Sequence, residues 1–268
     1  MIDMLNIFAV LSNKVGEIVD EITKKTNVRG ENLYTLIMDL ISQAFYSTSI
    51  FYDDNLEANV LWRDVVLAIK ELIDLINKIQ NRYMTLLPKL YSIALDRLKS
   101  VVLLSKTIYV IFCDALSLIE AIYFAITFRE RLRFITILIN PGGNTLTYKY
   151  IISTILGESI NDLTLETISK YISLSLNAKD YAVFREIDKA VHELNEVTKE
   201  HLIARMFTNV RSLTDKINYL MEDYNATIIV LADHGYDIKK IESGHYTLEH
   251  RWKTLKSLSI IAPIIVVG

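Results

Sequence analysis

The sequence predicts an α/β chain, with a mostly parallel sheet flanked by helices and an all-α N-terminal domain before it. The hydrophobic period changes near residue 103, and beyond that point short β-branched runs alternate with helical stripes. Acidic residues stand where three of those runs stop, at Asp114, Asp188 and Asp233. In an open α/β sheet the ligand crevice lies past the carboxyl ends of the parallel strands, so residues far apart in sequence can converge there.

Residues 1–103 read as a helical domain. The stretch 60–77 places Leu61, Val65, Ala68, Leu72 and Leu75 on one stripe and its charges on the other face, as an amphipathic helix requires. Similar stripes cover 5–22, 31–45 and 90–103, with breaks near Arg29-Gly30, at Tyr52-Asp-Asp-Asn55 and at Pro88. This half contains no histidine and no metal-ligand spacing, so it reads as a packing or docking module, a possible protein-binding surface.

Residues 104–268 read as a second, compact domain built from βα units. Its expected order is strand 107–113, helix 116–128, strand 134–139, loop 140–145, helix 147–156, a helical segment at 164–175 and strand 181–187. A long helix 189–205, helix 209–223, strand 226–232, a polar loop and strand 258–267 complete it.

Composition narrows the function. With 51% apolar residues in 268, the chain can bury a large core or two smaller ones. A net charge of −3 argues against broad coating of nucleic acid or anionic lipid, which reward a basic excess. Cys113 has no partner in the chain, which excludes an internal disulfide and suits a reducing compartment; the expected location is the cytoplasm. The opening Met-Ile-Asp-Met-Leu-Asn-Ile-Phe lacks a basic leader, and no apolar stretch reaches the ~20 residues that span a bilayer, so no membrane partner is expected.

The chemistry lies in four short segments. Asp114 ends Thr107-Ile-Tyr-Val-Ile-Phe-Cys113 and precedes a helix start, where an aspartate serves equally as a cap. Asn140-Pro-Gly-Gly-Asn-Thr145-Leu-Thr147 joins a strand to a helix and offers hydroxyls at a helix N-terminus, a place that suits phosphate; an ordinary capped turn has the same composition. Asp188 and His192 are four apart, so a helix puts both on one face and one ion can take both, although surface pairs share this spacing. Asp233-His234-Gly235 follows the buried run 226–232, and helix capping does not account for its histidine. His245 and His250 lie in the polar segment that follows, and His201 has no ligand four residues away.

In these segments the chain resembles the PglZ domain, a branch of the alkaline phosphatase superfamily of metal-dependent phosphate-ester hydrolases, over about residues 105–268. The resemblance implies an alkaline phosphatase-like sheet. It implies a metal-binding aspartate in Ile111-Phe-Cys-Asp114-Ala-Leu and a nucleophilic threonine in Pro141-Gly-Gly-Asn-Thr-Leu-Thr147, with Gly157 ten residues on. Thr147 has the fitting spacing and Thr145 is the alternative. The pair Asp188-Lys-Ala-Val-His192 and the tripeptide Asp233-His234-Gly235 supply further ligands, and the closing Ile261-Ala-Pro-Ile-Ile-Val-Val267 matches a last strand. The third histidine of one site departs from the family's glycine-following pattern; His250 is the choice and His245 stands behind it.

By the family's division, Asp114, Thr147, Asp233 and His234 would hold one divalent ion and Asp188, His192 and His250 the other. Nitrogen and oxygen ligands without thiolate suit Zn²⁺ first and Mn²⁺ second. The expected activity is hydrolysis of a phosphate ester, by resemblance a phosphodiester in a nucleotide or oligonucleotide, through a phosphothreonine. Backbone N–H groups of 145–148, or Arg251, would stabilise the transition-state charge. A different class of function is a non-catalytic or metal-holding interaction module of a multi-protein defence or signalling system. A nucleotide-binding fold without hydrolysis is disfavoured, because neither Gly-x-x-x-x-Gly-Lys-Ser/Thr nor Gly-x-Gly-x-x-Gly follows a strand.

Overall fold

The computed structural model describes residues 87–117, 120, 121, 124, 127–140, 142–250 and 258–268. The helices expected between residues 1 and 86 lie outside the described residues, as does Arg251. In chain order the described elements are α1 (Leu87–Val102), β1 (Ile108–Cys113), β2 (Leu132–Ile139), α2 (Thr145–Leu156), α3 (Leu165–Ser175) and β3 (Asp180–Phe184). Then follow α4 (Glu186–Glu193), α5 (Lys199–Tyr224), β4 (Thr227–Ala232), β5 (Asp237–Lys240), β6 (Tyr246–Glu249) and β7 (Ile261–Val267). Between β1 and β2, Glu120, Ala121, Phe124 and Thr127 are helical.

One five-stranded sheet, in the order β2-β7-β4-β1-β3, forms the centre of a mixed α/β unit with flanking helices. β1 runs parallel to both β3 and β4, and β7 alone opposes its neighbours β4 and β2. The unbroken apolar runs of β4 and β7 explain their central places, since every residue of both strands is buried. β3 is the outer strand beside β1, and it starts at the exposed Asp180.

Register decides where the chemistry comes out. Cys113 is paired with Phe184 on one side and with Ala232 on the other, so Asp114, Arg185 and Asp233 leave the sheet side by side. The parallel ladder extends one step further, where Asp114 N–H donates to Phe184 C=O at 2.9 Å. Ile139 pairs with Ile261, which brings Asn140 and Ser259 to the same end of the sheet.

The helix α1, which the change of period groups with the N-terminal half, packs against this layer. Its Tyr91 meets Tyr148 of α2 edge-on at 5.5 Å, and Tyr148 meets Phe112 of β1 at 5.6 Å. Among the described residues, no helix is long and apolar enough to cross a membrane.

The gap expected between helices 189–205 and 209–223 is absent, since α5 runs unbroken over Lys199–Tyr224, and three further elements differ from their sequence expectation for local reasons. The helix expected over 189–205 is broken: α4 ends at Glu193, Glu196 takes a positive φ of 54°, and Thr198 caps a new helix through its hydroxyl. The interruption allows Val197 to pair with Tyr246, N–H to O in both directions at 2.9 and 2.8 Å. The expected polar loop after β4 is instead an antiparallel hairpin, β5 with β6. The expected loop 140–145 ends one residue earlier, because Asn144 caps α2 by accepting the N–H of Thr147, so Thr145 is already helical.

Candidate metal centre

The four carboxyl-end segments bring two acid and histidine groups together. In the first, ligand atoms of Asp114, Asp233 and His234 all lie within 4.8 Å of one another, and Asp188, His192 and His250 meet the same limit in the second.

The first group is buried and rigidly held. Asp233 is fully enclosed, and its Oδ1 accepts the N–H groups of Ala115 at 3.3 Å and His234 at 3.0 Å. Ala115 adopts a positive φ of 65°, unusual for a residue with a Cβ; its N–H is the one that meets Asp233. Asn140, also buried, donates its Nδ2 to the Asp233 carbonyl at 2.8 Å and to the Asn144 carbonyl at 2.7 Å, which joins the loop before α2 to the end of β4. The His234 Nδ1 lies 2.8 Å from the Gly235 carbonyl, an acceptor, so Nδ1 carries the proton and Nε2 keeps its lone pair. That Nε2 is 3.6 Å from both Asp114 Oδ1 and Asp233 Oδ2.

Two observations fit this donor set to a divalent cation. Asp114 Oδ1 is buried and has no hydrogen-bond partner among the described residues. Burial, the charge of Asp233 and then that of Asp188 push the Asp114 carboxyl up to about 8. An orphaned carboxylate oxygen beside a second carboxylate and a histidine lone pair, with no thiolate, is a ligand set that fits a divalent metal ion.

The second group is more open. Asp188 sits in the first turn of α4, and its Oδ2 is 3.5 Å from His192 Nε2 one turn along. His250, directly after β6, places Nε2 3.6 Å from Asp188 Oδ1 and 3.3 Å from His192 Nε2. Three ligand atoms converging on one point again suit a cation, and His250 Nδ1 is buried and unpartnered among the described residues. Burial raises the Asp188 carboxyl, but the hydrogen bond from His250 and the nearby imidazoles of His192, His234 and His250 outweigh it, leaving a net pKa below the ordinary value. His250 is delivered by the hairpin: β6 is tied to the break between α4 and α5 through Val197 and through Leu248 N–H to Leu194 C=O at 3.2 Å.

The two candidate threonines are placed differently. Thr145 Oγ1 donates to Asp233 Oδ2 at 2.7 Å and lies 3.4 Å from His234 Nε2. The Thr147 hydroxyl instead lies over Gly142, where an added Cβ would come within 1.8 Å of it. His245 is likewise outside the second group, its Nδ1 3.1 Å from Ser243 Oγ. The N–H groups of Thr147 and Tyr148 are bonded to Asn144, at 2.9 and 3.4 Å, so two of the four 145–148 amides are engaged within the cap.

Sequence reasoning missed Asn140 as the brace of the centre. It also missed Glu120, a buried carboxylate that accepts from Ser117 and from Tyr236. The Ser-x-x-Glu spacing of Ser117 and Glu120 is a visible capping signal. The link to Tyr236 spans 116 positions and leaves no local trace.

No family model matches the chain, and no curated protein matches it. Among solved structures it is similar to a mutant of TAB5 alkaline phosphatase with Mg bound, at 13% identity and a TM-score of 0.21, over 63% of this chain and 67% of that one. A second mutant of that phosphatase, also with Mg bound, is similar at 14% identity and a TM-score of 0.21 over the same shares.

Proposed function

We propose that this chain is a metal-dependent phosphoesterase of the alkaline phosphatase superfamily, in its PglZ branch, acting on a phosphodiester of the nucleotide or oligonucleotide kind. Asp114, Asp233 and His234 would hold one ion and Asp188, His192 and His250 the other, with Zn²⁺ the first choice and Mn²⁺ the second. One observation carries this reading. A single hydroxyl, that of Thr145, stands at the N-terminus of α2 and donates to Asp233 beside the His234 lone pair.

Thr145, rather than Thr147, is accordingly the proposed nucleophile. The positive end of the α2 dipole lies at its backbone and favours an anionic group there. Its proton is directed at Asp233 Oδ2, which leaves lone pairs on Oγ1 for a phosphorus atom. Divalent cations, when bound, supply charge that stabilises an alkoxide at neutral pH and neutralises the phosphoryl oxygens. Oγ1 of Thr145 gives up its proton through Asp233 and forms the bond to phosphorus as the ester oxygen leaves with its electron pair and takes up one proton to become the alcohol. Water then adds to phosphorus and breaks the bond to Oγ1, one proton of that water passes to Oγ1, and phosphate from a monoester, or a phosphate monoester from a diester, is released. Two in-line displacements give net retention at phosphorus.

The test is hydrolysis of a chromogenic phosphodiester and the matching monoester by protein loaded with Zn²⁺ or Mn²⁺. Diester turnover that disappears with a chelator and returns with metal supports the proposal. Near two equivalents of bound metal without turnover of either ester would favour the metal-holding interaction module.

A further inference from the structure

Glu120 is a carboxylate that neither ligand group uses, and only 1% of it is exposed. Its Oε2 accepts the Ser117 N–H at 3.0 Å and the Ser117 hydroxyl, the capping-box pattern of a helix start. Capping requires neither burial nor a further partner, yet Glu120 has both. Its Oε1 accepts the hydroxyl of Tyr236, which is equally buried. Burial pushes the Glu120 carboxyl up, a cost that a surface cap would avoid.

The position of the two partners gives that cost a purpose. Ser117 is three residues past Asp114 in the turn after β1, and Tyr236 is two past His234 in the segment after β4. One carboxylate therefore joins the two segments that supply the Asp114, Asp233 and His234 group. A carboxylate suits this task because it offers only acceptor sites, and three donors converge on it. Two further ties between these segments, Ala115 N–H to Asp233 and Asp114 to His234, use candidate ligands to make them.

We propose that Glu120 is a positioning residue for metal at the Asp114, Asp233 and His234 group, fixing the spacing of the two ligand-bearing segments through Ser117 and Tyr236. This rests on reading that group as a metal site. Groups that orient ligands from behind are worth about 10- to 100-fold in metal affinity.

Co²⁺ is the probe, titrated into the full chain and followed by its visible absorption. Two backgrounds separate the sites: His192→Ala leaves the first group intact, and His234→Ala leaves the second. In the His192→Ala background, Tyr236→Phe and Glu120→Gln should each weaken Co²⁺ binding about tenfold or more and change its absorption bands. In the His234→Ala background they should change neither. Ser117→Ala, a milder variant for use if the others fail to fold, should weaken only the first site. Equal weakening in both backgrounds, or no weakening in the first, would overturn the assignment while leaving the metal site standing. Absence of Co²⁺ binding by the unsubstituted chain would overturn the phosphoesterase proposal and this one with it.

Discussion

The imidazoles of His234 and His250 lie with ring centroids 4.8 Å apart, although one follows the central strand β4 and the other follows the hairpin strand β6. They form the shared wall of the two ligand groups. The hydroxyl of Thr145, 3.4 Å from His234 Nε2, adjoins the His234 side of that wall.

Thr145→Ala should abolish phosphodiester turnover, by at least about a thousandfold, because it removes the only proposed nucleophile. Thr147→Ala should leave turnover within about threefold, since its side chain fills space over Gly142 and not the ligand groups. Steady-state rates at saturating metal decide the matter. Equal losses in the two variants would remove Thr145 from its role.

His250→Ala should halve the metal content measured by elemental analysis, because it takes away one of three ligands of the more open group. His245→Ala should retain both equivalents. Full metal retention by the His250 variant would break the second group as drawn.

Much of the centre was legible because its signals are local. Asp114, Asp233 and His234 follow continuous apolar runs that only a buried strand explains, and Asp188 with His192 shows the spacing of one helical turn. What escaped depends on tertiary pairing. The break at Glu196 could not be read from helical periodicity, since it goes with the pairing of Val197 to Tyr246, 49 positions away in a strand with only four residues. For the same reason the polar loop did not read as a hairpin, and the choice of Thr145 over Thr147 turned on an Asn144 cap that starts α2 two residues early.

Asn140→Ala should destabilise the protein by about 1–3 kcal/mol in denaturant unfolding, because it leaves the buried Asp233 carbonyl without its donor. The half-buried Asn144 carbonyl loses one donor and keeps the N–H of Tyr148. Metal affinity at the first group should fall as well, because that amide holds the Asp233 backbone against the loop before α2. A loss below about 0.5 kcal/mol would mean that the brace has little weight.

In the metal-free protein Asp114 should contribute a loss of stability as pH rises from 4 to 8, the reverse of the usual behaviour of a paired aspartate such as Asp188. The folded-state pKa of Asp114 is raised to about 8 by burial, by Asp233 and by Asp188, from an ordinary value of 3.8. Between those values the folded protein holds a proton that the unfolded chain has released, so stability falls with pH, by at most about 1.4 kcal/mol per unit for one proton. The contribution is fully present below pH 3.8 and is lost as pH passes through about 8. Asp114→Asn, neutral at every pH, should remove this contribution to the slope and raise the melting temperature of the metal-free protein at pH 8. Saturating Zn²⁺ should reverse the trend in the unsubstituted protein, because the ion takes the place of the proton and binds more tightly as pH rises. Thermal melts across this range, with chelator and with Zn²⁺, measure both effects; parallel slopes in the two conditions would show that Asp114 does not exchange a proton for metal.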